Sequence, residues 1–132
     1  MGINKICQSV GAIIKNGRGE YLVLYRLEKP IGLVLPAGHF NQCEESGDTV
    51  RRVVLEKTGI KLIDIKRICE RPIKAKCRLG FKFHWWYLYE VLSWDGVPEL
   101  KQPHRHKFVR FMSLEEMQSL VDSKEMTVAW PV

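Results

Sequence analysis

The chain of 132 residues has no run of about 18 apolar residues, the length a helix needs to cross a bilayer, so no membrane-spanning helix is expected. It has no internal repeat, no low-complexity stretch and no linker rich in Pro, Gly or Ser. Those absences exclude repeat and fibrous architectures and point to a single domain over residues 1–132. Cysteine is sparse: Cys7, Cys43, Cys69 and Cys77 show no CxxC spacing, which excludes the common zinc and redox motifs. A zinc site from Cys69, Cys77 and His84 fits no familiar ligand spacing, so the cysteines are read as reduced and structural. The residues from Met1 to Lys5 show no signal-peptide pattern, and Ile6 stands where a myristoylation motif wants Ser or Thr. A cytoplasmic location is the expectation.

Apolar residues make up 45% of the chain, enough for a globular core and too many for disorder. The charge balance is 21 basic against 15 acidic residues, formally +6, which favours anionic partners such as nucleotides, polyphosphates or RNA. Part of that excess is local. Arg71, Lys74, Lys76, Arg78 and Lys82 fall within twelve residues that contain no acid. Residues 71–82 read either as a solvated strand edge or as an anion-binding rim open to RNA; no nucleic-acid motif is in register.

Along the chain, Cys7 to Lys15 alternates and is β-branched, as in a strand. Asn16-Gly17 signals a hairpin, with Tyr21 to Leu27 as the return strand. Ile31 to Pro36 is short and apolar and runs into a Pro-Ala-Gly turn. Ser46 to Thr58 is expected to be a helix with Ser46 as N-cap and Gly59 as its stop. Leu62 to Pro72 and Gly80 to Leu92 read as two strands. The second carries Phe81, Phe83, Trp85, Tyr87 and Tyr89 on one face, a stripe expected in the core. Lys82, His84, Trp86, Leu88 and Glu90 line the other face. A loop holding His104 and His106 leads to a last strand from Lys107 to Met112. Ser113 to Glu116 is a capping box that opens a second helix, and the tail from Met126 to Val132 reads as irregular. Strands, helix, strands and helix in this order give an α/β (α+β) architecture with a mixed sheet between helices.

The segment from Gly38 to Ile60 carries the chemistry. It resembles the Nudix box, G-x5-E-x7-R-E-U-x-E-E-x-G-U, where U is a bulky aliphatic residue. Gly38, Glu44, Arg52, Val54, Glu56, Gly59 and Ile60 match seven of the nine specified positions without a gap. Val53 and Lys57 stand where the pattern has Glu. The preceding Leu35-Pro36-Ala37-Gly38-His39 and the later segments from His84 and from Gln102-Pro103 to Glu116 are similar to the family too.

The resemblance implies the Nudix fold, an α/β/α sandwich, and hydrolysis of a nucleoside diphosphate linked to another moiety, with Mg2+ or Mn2+ as cofactor. Attack of water on phosphorus gathers negative charge, and hard cations held by carboxylates neutralise it. Positions 53, 56 and 57 of a helix span an arc of roughly 100° and so converge on one spot. By resemblance, Glu44, Arg52 and Glu56 are catalytic, Ala37 offers its carbonyl and Glu56 its carboxylate to the metal, and Gly38 lets the backbone approach closely. Gln102 stands where many relatives have Glu, which leaves Glu99 as substitute base. His39, Lys57 and Trp86 are candidate substrate contacts. The departures matter, because Val53, Glu56 and Lys57 are together formally neutral where the family carries three carboxylates. A weak or absent metal cluster is expected, with hydrolysis weak or lost. Two readings of Lys57 stand: a solvated side chain, or an ammonium that takes the cation's place on a phosphate. A non-catalytic nucleotide-binding module, or a basic interaction domain with a vestigial cleft, is the alternative function.

Overall fold

The computed structural model describes residues 7–74, 83–124, 126 and 127. Cys77, Phe81, Lys76, Arg78, Lys82 and residues 128–132 lie outside them, and with them the zinc reading, most of the basic segment and the end of the tail. Among the described residues seven strands and two helices follow in the order β1 (Cys7–Ile13), β2 (Tyr21–Arg26), β3 (Gly32–Val34), β4 (Ala37–His39), α1 (Ser46–Thr58), β5 (Lys61–Lys74), β6 (Phe83–Asp95), β7 (His106–Met112) and α2 (Leu114–Asp122). They form a four-stranded mixed sheet in the order β4-β1-β6-β5 and a three-stranded sheet in the order β3-β2-β7. β1 runs parallel to β6 and antiparallel to β4.

Each sheet buries one face against its own helix, because a strand presents alternate residues to each side. Val10, Ala12 and Ile14 from the first strand segment meet Val50, Val53 and Val54 of α1, all at 2% exposure or less. Tyr89 and Val91 of β6 close that core, and Tyr87 packs against it, so this part of the aromatic stripe is core as expected. Met117, Leu120 and Val121 of α2 pack instead on Val23, Leu33 and Met112 of the second sheet. The result is the expected α/β/α arrangement, with its strands divided between two sheets. Among the described residues no helix is long and apolar enough to cross a membrane.

Three local readings change. Asn16 does turn the chain, its Oδ1 accepting from the amides of Arg18 and Glu20, but only the Lys15–Tyr21 bridge joins the two arms. β1 and β2 then diverge into different sheets, because each finds a longer partner elsewhere. The Pro-Ala-Gly turn is the start of the edge strand β4. The N-cap of α1 is Glu45 with no side-chain cap bond, and the Ser46 hydroxyl instead shares a hydrogen bond with the Tyr89 hydroxyl. Gly59 ends the helix as expected, in the left-handed conformation (φ 77°), and its amide donates to Leu55 O. At α2 the Glu116 amide donates to Ser113 Oγ at 3.0 Å, the cap that the Ser-x-x-Glu spacing implies.

Candidate active site along the edge of β4

Among the described residues β4 is an edge strand, and the site forms where α1 lies along it. Ala12 N donates to Pro36 O and Phe40 N donates to Gln8 O. Ladder bonds in an antiparallel pair alternate, so the carbonyls of Ala37 and His39 point away from β1, off the sheet. Both would be orphan acceptors without a partner. Two cations from α1 take them. Arg52 Nη2 donates to His39 O at 2.8 Å, and Lys57 Nζ donates to Ala37 O in a short hydrogen bond. Lys57 is half-buried here and turned inward, so the solvated reading of this side chain is set aside.

Between these two bonds Gly38 meets Val53. A Cβ on Gly38 would sit 2.9 and 3.0 Å from the two γ-carbons of Val53. Val53 is β-branched on a helix and has one comfortable rotamer, so it cannot yield. Gly38→Ala is therefore expected to lose about 1–3 kcal/mol. Adding Val53→Ala should recover part of that loss, because the new methyl then occupies the space the valine leaves. A double-mutant cycle by urea denaturation measures the coupling, and additive losses would refute the contact.

Glu44 and Arg52 form the rigid centre. Arg52 Nε lies 2.7 Å from Glu44 Oε2, and Nη2 lies 3.0 Å from Oε1. The second oxygen also accepts from Asn41 N and Thr49 Oγ1, both at 2.9 Å. Arg52 beside it outweighs the opposing effect of burial and, with Asn41 and Thr49, holds the Glu44 carboxyl down at about 2. Glu56 receives Arg52 Nη1 at 3.2 and 3.3 Å from the helix position four residues on, and is half exposed.

The other candidates are placed apart from this centre. Glu99 lies over the C-terminus of α1: its amide donates to Thr58 O, and its exposed carboxylate pairs with Lys101 at 3.7 Å. It faces Gly59, where a Cβ would be 3.5 Å from Glu99 Oε1, and no contact to Glu44, Arg52 or Lys57 supports it as the base. Trp86 lies on the face of the four-stranded sheet turned away from α1, in cross-strand register with Ser9, which itself pairs with His39. His104 is exposed, but His106 is not the loop residue the sequence implied. It opens β7 opposite Arg26, is 3% exposed, and has no protein partner for Nδ1; the buried Gln102 Oε1 nearby in the chain is likewise unpartnered. Burial, reinforced by the positive charges of Lys57, Arg26 and Arg105, pushes His106 down to about 4 and keeps it neutral. Lys57 therefore lies within electrostatic reach of both β4 and β7. The sequence reading missed Thr49 and His106. Nothing local marks Thr49, whereas an alternating strand that starts one residue earlier would have turned His106 inward.

The sequence pattern of the NUDIX domain matches residues 5–130. Comparison with curated proteins finds no match. Among solved structures, the MutT NUDIX hydrolase from Burkholderia pseudomallei superposes with a TM-score of 0.75 at 23% identity, over 86% of this chain and 87% of that one. The MutT protein from Methanosarcina mazei Go1 gives 0.71 at 24% identity, over 98% and 88%. The NUDIX domain of Shewanella oneidensis NrtR, in complex with ADP ribose, gives 0.72 at 20% identity, over 97% and 82%. At these identities the structures establish the fold, and the sequence match over nearly the whole length establishes the lineage: this chain belongs to the NUDIX domain family.

Proposed function

We propose that the cleft beside β4 binds a nucleoside diphosphate derivative with its diphosphate drawn to the Lys57 ammonium, and that pyrophosphate hydrolysis is weak or lost. One observation carries this reading: Lys57 Nζ is bonded to the Ala37 carbonyl, the oxygen that the family resemblance assigns to the metal. The remaining donors do not fit Mg2+ or Mn2+. Val53 is apolar and buried, Glu44 spends both oxygens on Arg52, and Glu56 is tied to the same guanidinium. Among the described residues no three His, Cys, Asp or Glu side chains cluster as a metal site. An ammonium already in place offers a diphosphate a charge-assisted contact with no divalent ion. The ADP ribose held by the NrtR domain of similar fold is a ligand of this chemical class.

Melting curves with ADP, ADP ribose and nucleotide sugars, in EDTA and in magnesium, test the proposal. Ligand should raise the melting temperature equally in both, and Lys57→Ala should weaken binding roughly 10- to 150-fold, the loss of one charge-assisted hydrogen bond. Stabilisation that appears only with magnesium would overturn the reading. Residual hydrolysis is the second reading, favoured by the intact array of Glu44, Arg52 and Glu56. Release of phosphate products with Mg2+ or Mn2+ distinguishes it.

A further inference from the structure

Close to Lys57 the fold encloses an ionisable group that the proposed binding does not use. His106 opens β7 as the direct cross-strand partner of Arg26 on β2, and it is 3% exposed. Its backbone amide and that of Arg105 both donate to Gln102 O, so Gln102 and His106 leave one tight turn. Their buried side-chain atoms Gln102 Oε1 and His106 Nδ1 both lack a hydrogen-bond partner among the described residues. A carboxamide oxygen can only accept, and a neutral imidazole has one N–H for its two nitrogens. Protonation puts an N–H on both nitrogens. An Nδ1–H then has the Gln102 oxygen, in the same turn, as its acceptor. One proton would thus give both orphan groups a partner, and orphan groups are costly where they are buried.

The surroundings keep that proton away. Burial acts first, the positive charges of Lys57, Arg26 and Arg105 add to it, and Glu28 opposes them; together they push His106 down to about 4. Two of the three charges are tied into the fold. Arg105 Nε pairs with Glu28 Oε1 at 3.5 Å, and the Arg26 guanidinium donates to Pro30 O at 2.9 Å and to Lys29 O at 3.2 Å. Lys57 acts on the ring most strongly of the three, and it is the one a diphosphate would meet. We propose that a diphosphate drawn to Lys57 binds together with a proton on His106, so that affinity rises as the pH falls. This rests on the proposed diphosphate site at Lys57. Two phosphate charges beside the ammonium reverse the sign of the field on that side of the ring. The proton affinity of His106 then rises toward that of an ordinary imidazole. Linkage requires that protonation tighten the diphosphate by the same factor. The gain is absent well above the ordinary 6.5, grows as pH falls through the raised value in the complex, and is complete below about 4.

Calorimetric titration with ADP ribose in EDTA, at pH 7.5 and at pH 5 and in buffers of different ionisation enthalpy, tests the linkage. Both phosphates of this probe are esterified, so its diphosphate exchanges no proton in that range. Wild type should bind it about threefold to tenfold more tightly at pH 5 and take up a fraction of a proton on binding. His106→Asn should lose that gain and the uptake with it. Effects of the other histidines are common to both proteins and cancel. The Cε1–H resonance of His106 reads the same coupling in wild type. Its titration midpoint should move up from about 4 when ADP ribose is bound, and also in ligand-free Lys57→Ala. Melting curves check that His106→Asn is folded, and the resonance decides if it is not. Binding with equal affinity and no proton uptake at both pH values would overturn the linkage and leave the Lys57 site standing. A gain of full size in His106→Asn, or a midpoint that neither ligand nor Lys57→Ala moves, would do the same. Failure of ADP ribose to bind at either pH would overturn the proposed function, and the linkage with it.

Discussion

Replacing Val53 and Lys57 together by glutamate is expected to make the stability of the domain depend on magnesium. The double variant restores three carboxylates at 53, 56 and 57, on one face of α1, and frees the Ala37 carbonyl from Lys57. Without metal it should be poorly stable. Val53 is 2% exposed against Gly38, and a carboxylate there without a partner costs about 2–4 kcal/mol. For a chain of this size that is a fall in Tm of roughly 10 °C. With magnesium the sign reverses. A pair of unit charges about 4 Å apart gains on the order of 4 kcal/mol at an effective dielectric near 20, and three carboxylates facing a divalent ion gain several times this before desolvation is subtracted. Millimolar magnesium should therefore recover most of the lost Tm in the double variant and leave wild type unmoved. Hydrolysis of whichever nucleotide binds should rise with it. A double variant that folds but melts at the same temperature in EDTA and magnesium would show that the two substitutions alone do not account for the metal site.

Arg52→Ala should be the most destabilising single substitution at the site, by about 3 kcal/mol. It removes both bonds to Glu44, the bonds to Glu56 and the partner of the His39 carbonyl, and it leaves a mostly buried carboxylate uncompensated. Solvent screening moderates the loss, because the Arg52 and Glu44 side chains keep 25% and 15% exposure. The acid limb of the stability curve provides a second measurement. Glu44 titrates at about 2 in the folded chain against an ordinary 4.5, so the unfolded state takes up its proton first as pH falls. Its contribution is fully present above pH 4.5 and is lost as pH drops through 2. In Arg52→Ala the carboxyl returns toward its ordinary range and this contribution disappears. His106 stays neutral down to about 4 and destabilises the fold between its ordinary 6.5 and that value; this window is common to both proteins and cancels in the comparison. Urea titrations at pH 7 and pH 3 should thus show a gap between wild type and Arg52→Ala that narrows in acid. A gap of equal size at both pH values would mean that the Glu44 pairing does not carry the stability.

Features set by local spacing were legible in the chain. The helix from Ser46 to Thr58, its glycine stop, the capping box at Ser113 and the pairing of Arg52 with Glu56 all depend on residues within about four positions of each other. Helical periodicity and terminal capping act over that range, so the sequence by itself determined them. It also determined that position 53 is apolar and position 57 basic, two places where the family pattern has Glu, while Glu56 is kept. Where the Lys57 ammonium goes was not legible. Its partner, the Ala37 carbonyl, lies twenty residues earlier and is a backbone atom that no side-chain pattern marks. That carbonyl is available only because β4 is an edge strand whose pairing with β1 directs alternate acceptors outward. The division of the strands into two sheets and the burial of His106 have the same origin. Each depends on which strands pair and in what register, and register is decided by burying one whole face of a sheet at once, a choice made by the folded chain and by no segment of it alone.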